Sequence, residues 1–147
     1  MSDQPSPVKQ RYAEMFRQYL MTEGYRPTVD EDGDVVFKSE GATFLIILDE
    51  KDSEFFRLAA PNFWSIEDEE EREQVKAACL EVTKAIKVAK VFPVRDNTWA
   101  TIEMFVSPIQ SVQDVFGKCL RGLHHAMNAF RKEMHSLQGK AGDFEES

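Results

Sequence analysis

Residues 42–64, ATFLIILDEKDSEFFRLAAPNFW, read as two strands joined by an acidic turn. Side chains alternate faces along a strand. Phe44, Ile46 and Leu48 therefore share one side of the first strand, and Leu45 and Ile47 the other. In the second strand Phe55, Arg57 and Ala59 alternate with Phe56, Leu58 and Ala60. A sheet with one wet face reads apolar, polar, apolar. This pair is apolar on both sides along its first strand, which predicts that both faces of the sheet are covered. What covers the second face becomes the functional question.

Upstream, Val8, Tyr12, Met15, Phe16, Tyr19 and Leu20 recur at three-and-four spacing and predict a helix from Val8 to Glu23, ended by Gly24. Tyr25 to Ser39 reads as a hairpin around Asp32-Gly33, and Glu40-Gly41 turns into the central pair. Pro61 has no amide hydrogen and is expected to stop the ladder, with Phe63 and Trp64 just beyond it.

Downstream, Ser65 reads as the N-cap of a second helix, with Asp68 completing a capping box and acids from Glu67 to Glu71 at the positive end of the dipole. Its expected buried stripe is Val75, Ala78, Cys79, Val82, Ala85 and Ile86. Val88 to Arg95 and Thr98 to Val106 predict a second hairpin turning at Asp96-Asn97. Ala100, Ile102, Met104 and Val106 share one face of it; Trp99, Thr101, Glu103 and Phe105 share the other. Pro93 marks its strand as an edge or a bulge. The longest helix follows, from Ile109 to Leu137, with Val112, Val115, Phe116, Cys119, Leu120, Leu123, Met127, Phe130 and Met134 as its stripe. The predicted fold class is α+β, one antiparallel sheet with three helices packed on it, in the order α-β-β-β-β-α-β-β-α. One domain spans residues 8–137, with flexible tails at 1–7 and 138–147.

The chain has 147 residues, enough to close one core. A formal charge of -8 argues against a nucleic-acid partner, because phosphate contacts need concentrated Lys and Arg. Two basic groups, Lys84, Lys87, Lys90 and Arg95, then Lys118, Arg121, Arg131 and Lys132, read as solubilising charge. No apolar run approaches the roughly 20 residues that span a bilayer, so no membrane partner is expected. The opening MSDQPSPVKQ does not read as a signal peptide, and the cytoplasm is the expected location.

No catalytic constellation emerges. Cys79 and Cys119 fall on helical stripes and read as small buried hydrophobes. His124, His125 and His135 all lie on the last helix, and none is spaced three or four from another as a helical metal pair requires. The acids around Gly33 fail calcium-loop spacing, since Thr28 and Ser39 would occupy the first and last ligand positions. No glycine-rich phosphate loop and no nucleophile elbow is present. The expectation is a non-enzyme without cofactor or metal.

The order of elements, GATFLIILDEKDSEFFRLAAPNFW and the later hairpin VFPVRDNTWATIEMFV together resemble the bacterial YbjN family, labelled sensory transduction regulators. The resemblance covers about Val8 to Glu133. It implies a fold similar to that of type III secretion chaperones, frequently dimeric, and a protein that binds other proteins or regulates. It transfers no active-site residues. The leading expectation is therefore a cytoplasmic, chaperone-like or regulatory module that holds a protein partner through the second sheet face or a strand edge. Phe63, Trp64, Trp99 and Phe105 are its candidate partner-binding residues. Two alternatives are a homodimer closing the same face without a client, and a small-ligand binder using a pocket between sheet and helices.

Overall fold

The computed structural model describes residues 4–146, with side chains described through Gly139. The predicted order of elements is observed. Helix α1 spans Pro7–Thr22, and strands β1 (Thr28–Val29), β2 (Val35–Ser39), β3 (Ala42–Leu48) and β4 (Phe55–Ser65) follow. Helix α2 is Glu69–Ala85, strands β5 and β6 are Ala89–Val94 and Asn97–Phe105, and α3 is Phe116–Glu146. All neighbours pair antiparallel in one sheet of order β1-β2-β3-β4-β6-β5. Strand β4 is central, and β5, which carries Pro93, is an edge.

Local chemistry sets the helix ends. Ser6 Oγ accepts from the Lys9 amide at the start of α1, with Pro7 in the first turn, where its missing N–H costs nothing. At the other end the Tyr25 amide donates to Leu20 O and the Gly24 amide to Met21 O, the pairing that a left-handed glycine permits. Residues 4–7, expected in a flexible tail, thus include the cap and first residue of α1; residues 1–3 lie outside the described residues. The α2 cap is Asp68 rather than Ser65: Asp68 Oδ1 accepts from the Glu71 amide, and Glu71 Oε1 accepts from the Glu67 amide. The cap lies three residues later than the sequence suggests, and Glu71 reaches back one residue beyond the N-cap amide of the standard box, to Glu67.

Several boundaries differ for physical reasons. Pro61 does not end β4; the ladder breaks after the Ala60–Ala100 pair and resumes at Trp64–Thr98. Pro61, Asn62 and Phe63 bulge out between them, Asn62 taking a positive φ. The β5–β6 turn is Arg95-Asp96, one residue early, because Val94 pairs with Asn97. Residues 30–34 form a wider loop than a two-residue turn, tied by Asp30 and Asp34. Gly33 there has φ +84°, and a Cβ would lie 2.6 Å from the Pro5 ring, so this position needs glycine twice over. Ala85 is exposed rather than on the buried stripe of α2. The last helical segment opens as a 3₁₀ helix, Ile109–Asp114, before α3, and α3 runs past Leu137 to Glu146.

All three helices pack on one side of the sheet. Phe37, Phe44, Ile46, Phe56, Leu58, Ala100 and Ile102 meet Phe16 and Leu20 of α1 and Phe116, Leu123, Met127 and Phe130 of α3. Phe116 is the junction, with its ring against Tyr19, Phe37 and Phe56 at centroid distances of 5.6, 6.0 and 6.5 Å. Lys9 pairs with buried Asp34 at 3.1 Å, and Asp34 Oδ1 also accepts from the Leu48 amide, which ties α1 to the sheet. Arg72 of α2 clamps the β5–β6 turn through Arg95 O and Asp96 Oδ1. The expectation that both faces are covered is corrected: among the described residues no helix lies on the second face.

Among the described residues two buried side-chain polar atoms have no hydrogen-bond partner, Trp64 Nε1 and Thr98 Oγ1, and they belong to cross-strand partners. An unpaired buried hydroxyl is destabilising. Thr98→Val keeps the branched shape and deletes that hydroxyl. It is expected to raise the unfolding free energy by about 1 kcal/mol in urea titration; a loss of similar size would show that the hydroxyl is satisfied.

Candidate docking face

The open side of the sheet is built by strand register. Pairing of Leu45 with Ala59, Ile47 with Arg57, Arg57 with Glu103, Phe55 with Phe105, Thr101 with Lys90 and Trp99 with Phe92 places all of them on the face away from the helices. Phe105 is 78% exposed, and Ile47, Phe92, Val94 and Trp99 are half-buried by one another.

At the centre sits an ion-pair cluster. Arg57 Nε donates to Glu103 Oε1 at 2.8 Å, Lys90 Nζ bonds the other carboxylate oxygen, and Thr101 Oγ1 donates to it as well. The Arg57 guanidinium lies 5.2 Å from the Phe55 ring centroid and Lys90 lies 6.0 Å from that of Phe92, both within cation–π range. Burial works against charge on Glu103, but the bonds from Lys90, Thr101 and Arg57 outweigh it and hold the carboxyl below its usual range. Beside the cluster, Ile47, Phe92, Val94 and Trp99 border a shallow groove of about 350 Å³.

The four aromatic residues singled out from sequence do not form one site. Trp99 and Phe105 lie on the open face, with Trp99 Nε1 donating to Asn62 Oδ1 at 3.0 Å across the β4 bulge. Phe63 and Trp64 turn to the helix side, where both rings meet Phe130 edge-on and Arg131 covers Phe63. The bulge adds two residues to β4 and so preserves the alternation across it: Trp64 stays on the side of Leu58 and Ala60, while Phe63, inside the bulge, leaves the alternation and turns to the helices. Missed from sequence were Phe92 and the Arg57–Glu103–Lys90 cluster. Strand alternation already put Arg57 and Glu103 on one face each, but only the β4–β6 pairing puts them opposite one another.

The β5 edge of the sheet is occupied. On β5 the outward amides belong to Ala89 and Val91, which donate to Lys87 O and Thr83 Oγ1, and Pro93 has no amide hydrogen. The opposite edge is flanked by the two-residue β1. Among the described residues Asp30, Asp32 and Asp34 are the carboxylates near enough to share a metal. Asp30 Oδ1 already accepts from the Asp32 and Asp34 amides, and Asp34 is paired with Lys9. His124 packs edge-on against Phe44 and shares a hydrogen bond with Ser39 Oγ, His135 faces Trp64, and His125 is exposed. No described helix is long and apolar enough to cross a membrane.

Burial pushes the Cys79 thiol up to about 12 and raises that of Cys119. The thiolate is the reactive form, so a thiol-specific dye at pH 7 is expected to label neither cysteine in native protein and both after unfolding. Rapid native labelling would place one of them at the surface. For Glu103, the folded pKa lies below the unfolded value of about 4.3. Its pairing therefore stabilises above that value and is lost as pH falls through the folded one. Glu103→Gln is expected to cost about 1–2 kcal/mol at pH 7, with the gap to wild type closing below about pH 4 in urea titrations. A gap of equal size at both pH values would mean that the carboxylate charge is not what stabilises the face.

Neither a protein-family model nor a curated protein matches the chain.

Proposed function

We propose that this chain is a non-enzymatic, chaperone-like or regulatory module that holds a protein partner on the open face of its sheet. The observation that carries this reading is a continuous face with Phe105, Trp99, Phe92 and Ile47 and no covering helix among the described residues. Aromatic side chains and arginine, the mixture this face carries around the Arg57–Glu103–Lys90 cluster, are enriched at protein interfaces. The resemblance to the bacterial YbjN family, with its type III secretion chaperone-like fold, points the same way, and the cytoplasm is the compartment that fits it. Capture by strand addition is disfavoured, because the amides that would receive an added strand on β5 are already used. A pocket ligand is disfavoured too, since the groove is an open surface rather than an enclosed cleft of the kind small molecules occupy.

A second copy of the chain is the other occupant that an apolar sheet face fits, because a two-fold interface uses the same patch on both subunits. Light scattering on a sizing column over a hundredfold concentration range separates the two. A monomer whose immobilised form captures a partner, with capture lost in Trp99→Ala and Phe105→Asp while both variants still unfold cooperatively, is the expected result. Phe105 makes a lenient test position because its side chain is largely in water. Undiminished capture by both variants would place the partner elsewhere; a dimer that persists on dilution and is broken by Phe105→Asp would assign the face to self-association.

A further inference from the structure

We infer that the Trp99 end of the open face takes an acidic segment of the partner, one that presents carboxylates and apolar side chains on the same side. This rests on the docking reading and names the chemistry of the partner.

The chain as a whole is acidic at -8, yet its open face is not. The charged strand residues pointing outward there are Lys38, Arg57 and Lys90 against the single anion Glu103, an excess of two positive charges. A guanidinium offers five N–H donors and an ammonium three. Glu103 takes Arg57 Nε and one Lys90 N–H, and among the described residues neither cation has another hydrogen-bond partner. Both cations thus keep donors for a second anion, beside a groove walled by Phe92, Val94 and Trp99.

The other end of the face repels such a segment. The β3–β4 connection carries Asp49, Glu50, Asp52 and Glu54 next to the Phe55–Phe105 pair. Acid at one end and cations with spare donors towards the other give the bound segment a direction. A second copy fits this charge pattern poorly, because a two-fold contact would lay Lys90 and Arg57 on the same net-positive patch.

The test uses full-length Trp64→Phe, which leaves Trp99 as the only tryptophan; Trp64 Nε1 has no partner, so no hydrogen bond is lost. The probe is a blocked synthetic peptide with Phe, Asp, Leu and Asp at alternate positions between serines, which puts all four on one side of an extended chain. Its twin carries Asn for Asp. The expected result is a change in Trp99 emission with the acidic peptide and binding about tenfold weaker for the twin, a difference of about 1.4 kcal/mol. The preference should shrink in high salt and in Lys90→Gln, with a melting curve to confirm that this variant, which loses one partner of Glu103, is folded. Equal binding of the twins would overturn the acidic-segment inference and leave the docking reading standing. Binding of neither peptide, with Trp99 emission depending on protein concentration instead, would overturn it in favour of a second copy. Binding of neither without concentration dependence would overturn it together with the docking reading.

Discussion

Strand β4 pairs with β3 on one side and β6 on the other, and its register decides what every other element meets. With Leu58 opposite Ile46 and Ile102, the three strands send one set of apolar side chains to the helices. With Arg57 opposite Ile47 and Glu103, they send a mixed aromatic and charged set the other way. A slip of β4 by one residue would turn that strand over, carrying Arg57 to the helix side away from Glu103 and Leu58 to the open face. Burying the Arg57 charge unpaired, while Glu103 is left without it and Leu58 is exposed, is the costly outcome. The ion pair on the outer face therefore acts as a register pin as well as a surface feature.

The helices then divide the labour on the inner face. α1 is held by the Lys9–Asp34 pair and by Phe16 on Phe56, while α3 lays its stripe across β4, β5 and β6. α2 stands at the rim, where Thr83 satisfies the Val91 amide and Arg72 holds the β5–β6 turn. An exposed edge invites pairing with other chains, and a covered one does not. With β5 sealed and the opposite edge short, the broad face is where this architecture leaves surface for a partner. The mixture of aromatic rings with an ion-pair cluster explains how such a face can be held in water: Arg57 and Lys90 lie over Phe55 and Phe92 and keep part of that apolar surface beneath charged groups.

Much of this was legible in the sequence. Alternation assigned nearly every strand residue to its correct side, the three-and-four spacing located the helices, and Gly24, Glu40-Gly41 and Pro93 marked a helix end, a turn and an edge. These signals are local, set by backbone sterics and by the amide that proline lacks, so no distant contact was needed to read them. Apolar content on both sides of β3 was read as two covered faces, and there local pattern misled. Leu45 and Ile47 are half-sheltered by side chains on neighbouring strands, and a single strand does not reveal that shelter.

The sequence by itself determined the α+β class, the order of elements and the two sides of each strand, because periodicity is a property of neighbouring residues. Only the tertiary structure decided that all helices share one face, that the β4 bulge turns Phe63 to α3 beside Trp64 while Trp99 stays outside, and that Arg57, Glu103 and Lys90 converge. Those outcomes depend on pairing between segments tens of residues apart. The free energy that selects among such pairings comes from burial and charge matching across the whole sheet, which no local stretch encodes.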